Sequence, residues 1–138
     1  MCHPRWFGLG LYLCLVASLD VGAAEPLDLK VLTFNIRTSQ ANDGPNHWEH
    51  RKEQVVVLIR SLASDFVGVQ EAEPDQLRYL REQLSEYQFL ARSRRADATR
   101  DEAVPLLYRQ DRWQLDPQEQ GTFWLSETPD EPGSTSWG

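Results

Sequence analysis

Two polar side chains interrupt apolar text where chemistry is readily done. Asn35 follows Val31-Leu32-Thr33-Phe34, and Glu71 follows Phe66-Val67-Gly68-Val69-Gln70. A carboxylate set against apolar surroundings is costly to ionise unless it is paired or bound to a metal. A hard cation such as Mg²⁺ is held by one or two carboxylates, with water and phosphate oxygens completing its shell. An amide and a carboxylate at neighbouring strand ends would therefore suit a divalent cation carrying a phosphate-bearing ligand. The same residues have a plainer reading, in which Glu71 caps the helical region that follows and Asn35 makes a turn. Spacing alone favours the plainer one.

The flanking elements determine whether the two can meet. Residues 28–37 are apolar on alternate and intervening positions and rich in β-formers, which predicts a central strand covered on both faces. Asp43-Gly44-Pro45 breaks the chain after it. Asn46, with Glu49 three residues on, has the form of a capping box. The helix that follows carries Trp48, Val55, Ile59 and Leu62 along one face and ends within 61–64. Residues 66–71 are too short for a helix and suit a second buried strand. Pro74 opens a second helix with a stripe of Leu77, Leu80 and Leu84. Residues 86–91 predict a further strand, 92–101 a polar loop, and 104–109 with 113–126 two adjacent antiparallel strands, the latter broken at Asp116-Pro117. Residues 127–134 have loop composition. Alternating strands and helices define an α/β fold, and in such sheets ligands gather where strands end.

The chain has 138 residues and a formal net charge of −7, with 14 Lys+Arg against 21 Asp+Glu. That is one domain at most. The composition, 41% hydrophobic and 25% charged, sets aside collagen-like, coiled-coil and wholly disordered readings. An acidic surface also argues against a general polyanion binder, since phosphate contact must then be confined to a basic patch or a bound cation. Residues 1–24 have the form of a secretory signal peptide: Arg5 near the start, an apolar run at 6–17, and Gly22-Ala23-Ala24 before Glu25. The run is shorter than the roughly 20 residues of a membrane span. Bulky Leu11-Tyr12-Leu13 ahead of Cys14 argue against lipidation. The expected product is an exported chain, 25–138, periplasmic or extracellular, without stable membrane insertion after cleavage. It would lack both cysteines, Cys2 and Cys14, and so any disulfide or thiolate metal site.

Five segments occur in order: Leu32-Thr33-Phe34-Asn35-Ile36-Arg37, Trp48-Glu49-His50-Arg51-Lys52, Val69-Gln70-Glu71, Glu102 ahead of Pro105-Leu106-Leu107-Tyr108-Arg109, and Gly121-Thr122-Phe123-Trp124-Leu125-Ser126-Glu127-Thr128-Pro129. Together they resemble the N-terminal part of the endonuclease/exonuclease/phosphatase superfamily, the group with the deoxyribonuclease I-like fold. The resemblance reverses the preference for the plainer reading. It implies a four-layer α/β sandwich, of which this chain would hold a mixed sheet with helices on one face, the second sheet missing or incomplete. It also implies metal-dependent phosphoester hydrolysis, with Mg²⁺ or Mn²⁺ as cofactor and a nucleic acid, a phospholipid head group or a sugar phosphate as substrate. Asn35, Glu71 and Glu102 would match catalytic positions: Glu71 the metal-ligand carboxylate, Asn35 its partner at metal and phosphate, and Glu102 a carboxylate that orients a histidine. Arg37 would match an arginine near the nucleic-acid backbone in deoxyribonuclease I, a substrate-binding position. The family's later Gly-Asp-x-Asn and Ser-Asp-His segments do not occur in these residues, and 25–138 contains only His47 and His50. The expectation is an N-terminal half that is inactive alone. The alternative is a non-catalytic exported binding domain on the same scaffold.

Three further groups have simple structural readings. His47 and His50 flank Glu49, but without more ligands they suit a solvated helix start. Arg92, Arg94, Arg95 and Arg100 are diluted by Asp97 and Asp101, as in a solvated loop. Trp113, Phe123 and Trp124 suit a core better than a base-stacking platform.

Overall fold

The computed structural model describes residues 26–95 and 101–136. The leader expected at 1–24 and part of the polar loop expected at 92–101 lie outside the described residues. The elements in chain order are β1 (Val31–Asn35), a 3-10 turn (Gly44–Asn46), α1 (Trp48–Leu62), β2 (Phe66–Gln70), α2 (Pro74–Gln83), β3 (Tyr87–Leu90) and β4 (Leu106–Arg109). They form one mixed sheet in the order β1-β2-β4-β3. β1 and β2 are parallel, joined through α1, and register places Asn35 opposite Gln70. β4 is antiparallel to both β2 and β3.

Strand alternation sends every second side chain to the helices. Val67, Val69 and Leu107 are fully buried there against Trp48 and Ile59 of α1 and Leu80 of α2. Each such side chain contributes roughly 1.5–3 kcal/mol by leaving water. Both helices thus cover one face of the sheet, as expected. The opposite face is open: Val31 is 65% exposed and Leu106 39%.

Five expectations change. The first strand is shorter than 28–37, and it lies at the end of the sheet order with one face exposed; residues apolar on both sides had suggested a central, doubly covered strand. Helix α1 is capped by His47, whose Nδ1 accepts the Glu49 amide at 3.4 Å, because Gly44-Pro45-Asn46 is already wound into the 3-10 turn. Leu62 is exposed, and Val56 joins Val55 and Ile59 in the core instead. The strand expected at 113–126 does not form. The Trp113 amide bonds back to the Arg109 carbonyl at 2.9 Å, and its indole Nε1 donates to Asp65 Oδ1 at 3.0 Å, so the chain turns over the start of β2 rather than extending beside β4. Trp113 then packs on Phe66 with ring centroids 5.0 Å apart. Phe123, expected in the core, is 69% exposed, while Trp124 is half-buried and donates its indole N–H to the Arg94 carbonyl. Among the described residues no helix is long and apolar enough to cross a membrane.

Candidate active site

Parallel pairing of β1 with β2 brings their carboxyl ends side by side. Beyond each end the backbone turns through a left-handed residue, Arg37 at φ 59° and Glu71 at φ 58°. For residues with a Cβ this conformation is unfavourable by about 1–2 kcal/mol, so neighbouring contacts must hold it. The turns direct Asn35 and Glu71 at each other.

Asn35 Nδ2 donates to Glu71 Oε1 at 2.8 Å, and the Thr38 amide donates to Glu71 Oε2 at 3.1 Å. Asn35 Oδ1 accepts the Arg37 amide at 2.8 Å. The orientation of the Asn35 amide follows from its partners, because a carboxylate only accepts and a backbone N–H only donates. The Asn35 bond first, and the Thr38 amide second, hold the Glu71 carboxyl below its ordinary range. Glu71 is therefore ionised at neutral pH, and each of its oxygens retains a lone pair for a further partner.

Arg37 lies on the same rim, but its guanidinium is engaged. Nε and Nη2 reach the two oxygens of Asp43 at 3.0 and 3.3 Å. This bidentate bond, chiefly, raises the Arg37 pKa and lowers that of Asp43; Glu71 and Glu102 add smaller raising effects on Arg37. Glu102 is brought to the same end of the sheet because Ala103 bridges Ala72, the residue after Glu71. Its carboxylate stands 3.9 Å from Arg94 Nη2. Asn35, Arg37, Glu71 and Glu102 are thus gathered at one end of the sheet. His47 and His50, with rings 6.4 Å apart, sit at the start of α1. Among the described residues no group of three His, Cys, Asp or Glu side chains is placed to hold a metal ion.

Several residues of this rim escaped the sequence reading. Asp43 registered only as part of a chain break, although it fixes Arg37. Thr38 Oγ1 donates to Glu73 Oε1 and Ser39 Oγ to Asp75 Oδ1, each at 2.9 Å, which ties the loop after β1 to the start of α2. Gln76 is fully buried; its Oε1 accepts the Glu73 amide and its Nε2 donates to the Arg37 carbonyl, both at 2.9 Å. A signal for it existed. Glu73-Pro74-Asp75-Gln76 places a glutamine three residues after the cap and proline at the first helical position, a helix-start pattern.

Solved structures share this arrangement of elements. A protein of the endonuclease/exonuclease/phosphatase family from Bacteroides vulgatus is 37% identical, with a TM-score of 0.72, over 81% of this chain and 42% of its own. The chain belongs to the endonuclease/exonuclease/phosphatase superfamily. A second superfamily protein, from Bacteroides thetaiotaomicron, is 32% identical over 79% of this chain and 38% of its own, with a TM-score of 0.69. A mannosyl-6-phosphatase from the same species is 31% identical over 76% of this chain and 39% of its own, with a TM-score of 0.67. The chain therefore spans about two-fifths of the length of these superfamily relatives. It matches no protein-family model and no curated protein sequence. The mixed sheet with helices is the α/β architecture of a partial superfamily domain, as its sequence suggested.

Proposed function

We propose that this chain supplies one side of the active site of an exported, divalent-metal-assisted phosphoester hydrolase. The observation that carries the reading is the 2.8 Å bond between Asn35 and Glu71 at the ends of two paired strands. It presents an ionised carboxylate at a strand end, oriented from both sides and with lone pairs to spare. The donor chemistry fits a hard cation of the Mg²⁺ or Mn²⁺ kind, which takes one or two carboxylates and leaves room for water and phosphate oxygens. Such a cation would stabilise negative charge on the phosphoryl oxygens.

Glu71 is the proposed metal-binding carboxylate. Asn35 uses its amide nitrogen to orient Glu71 and its oxygen to hold the Arg37 amide, so its proposed part is chiefly to position the ligand. Arg37, raised in pKa by Asp43, keeps its positive charge on the rim and would attract the phosphate. Glu102 is the proposed orienting carboxylate for a histidine, with Arg94 as its partner here. Relatives support the phosphoester class, and the 31% identity to a mannosyl-6-phosphatase favours a sugar phosphate.

Residues 25–138 are proposed to be inactive alone, since the Gly-Asp-x-Asn and Ser-Asp-His segments that would supply a general base and a histidine do not occur in them. Mn²⁺ titration of the chain, followed by loss of the free-ion paramagnetic signal, tests the site. Binding in the wild type and at least about tenfold weaker binding in Glu71→Ala are expected. Equal affinity in both removes Glu71 from the site, and phosphodiesterase turnover by 25–138 refutes the inactivity.

A further inference from the structure

The peptide unit between Arg37 and Thr38 connects the helices to the proposed metal ligand. Its carbonyl oxygen receives two donors from two different helices: Gln76 Nε2 of α2 at 2.9 Å and Arg51 Nη2 of α1 at 3.1 Å. Its N–H, the Thr38 amide, is the group that bonds Glu71 Oε2 at 3.1 Å. A peptide unit is planar and trans, so fixing the direction of its C=O fixes the opposite direction of its N–H. Arg37 is moreover in the left-handed region, where a residue with a side chain stays only if it is held.

Both donors are themselves anchored. Gln76 is fully buried, and its other end accepts the Glu73 amide at 2.9 Å. Arg51 also donates Nε to the Asn46 carbonyl at 2.9 Å and lies over the Trp48 ring at 5.5 Å. Glu71 takes its hydrogen bonds from Asn35 and Thr38, and those of Gln76 and Arg51 go elsewhere.

We propose that Gln76 and Arg51 are positioning residues for Glu71, acting through the Arg37–Thr38 peptide unit. Loss of the two donors frees the peptide to rotate, the Thr38 N–H leaves Oε2, and the carboxylate is no longer held from both sides. This rests on the reading of Glu71 as a metal ligand, but the orientation of the peptide is measurable without metal.

The experiment uses the full 138-residue chain, with Mn²⁺ as the probe and hydrogen exchange of the Thr38 amide read by NMR in metal-free buffer. Gln76→Met is expected to weaken Mn²⁺ binding about tenfold, the usual scale for groups behind a metal ligand, and to accelerate exchange at Thr38. Gln76→Leu likewise removes the donor without adding a titratable group at this buried position and is expected to behave like Gln76→Met. Should either variant fail to fold, Arg51→Met removes the second donor from the other helix, with the same effects expected in weaker form. Leu77→Ala disturbs α2 without touching the peptide unit and is expected to leave both readouts unchanged after correction for global opening. Unchanged Thr38 exchange in the folded variants overturns the proposal. Wild-type Mn²⁺ affinity in Glu71→Ala, with Thr38 exchange still accelerated in Gln76→Met, instead overturns the metal reading while leaving the positioning intact.

Discussion

At the scale of single residues, the site depends on an ionised Glu71 in an unfavourable backbone conformation. Because its folded pKa is lowered, Glu71 stabilises the folded chain above the unfolded carboxylate value of about 4.3, and this contribution is lost as pH falls through the lower folded value. Asn35 is the largest cause. Asn35→Ala is therefore expected to move the Glu71 titration upward toward the ordinary range, as followed by carboxyl ¹³C NMR; an unchanged titration would assign the depression to Thr38 alone. The backbone has a separate signature. Glu71→Gly and Glu71→Ala both remove the carboxylate, but only glycine occupies φ 58° without a steric cost. Glu71→Gly is expected to be the more stable by about 1 kcal/mol in urea unfolding. The presence of a polar residue at each strand end was legible in the sequence. The two left-handed turns that make them meet were not, since Arg37 and Glu71 are residue types that do not announce such a conformation.

At the scale of elements, boundaries are set by local chemistry that periodicity does not carry. Helix α1 ends at Ala63, left-handed at φ 47°, whose amide bonds the Ile59 and Arg60 carbonyls. Glycine is the favoured residue at such an end, so Ala63→Gly is expected to stabilise the chain by about 0.5–1 kcal/mol, read from the denaturation midpoint. Between α1 and β2 stands Asp65, fully buried, accepting the Lys30 amide on Oδ2 at 2.9 Å and the Trp113 indole on Oδ1. Arg112 pairs with it as well. The Lys30 bond, then the Trp113 bond, lower its pKa. The sign is that of a depressed carboxylate: stability is present above the unfolded value of about 3.9 and lost as pH falls through the folded one. Trp113 fluorescence is expected to change with the acid transition, and Asp65→Asn to destabilise the chain at neutral pH while flattening that transition. The helices followed from 3.6-residue stripes, and the short strands from apolar, β-rich runs too short for a helix. The turn of 110–115 onto Asp65 did not, because a tryptophan in a β-rich segment carries no mark of its distant partner.

At the scale of the whole molecule, the described residues form a one-sided core. Leu107 and Leu106 are neighbours on β4, one fully buried beneath the helices and the other 39% exposed on the open face. Leu107→Ala is expected to cost about 2–5 kcal/mol, and Leu106→Ala less than about 1 kcal/mol, by urea unfolding of the chain. A comparable cost at both positions would show that the open face is covered in solution. The end-strand position of β1 belongs to the same picture. Its apolar residues on both faces were read as burial on both sides, and the described residues cover one of them.

The sequence by itself determined the alternation of strands and helices through β4, most of the stripe each helix buries, with Leu62 and Val56 of α1 excepted, and the two strand ends at which polar residues stand, because these follow from local composition, helical spacing and turn chemistry. Its ordered motifs also pointed to the superfamily that the solved relatives bear out. Only the tertiary structure decided which polar atoms meet: Asn35 turned to orient Glu71, Asp43 engaging Arg37, Gln76 reaching across from α2. Those contacts join residues more than thirty positions apart in most cases, and a hydrogen bond at that separation depends on strand register and helix docking, which no local pattern encodes.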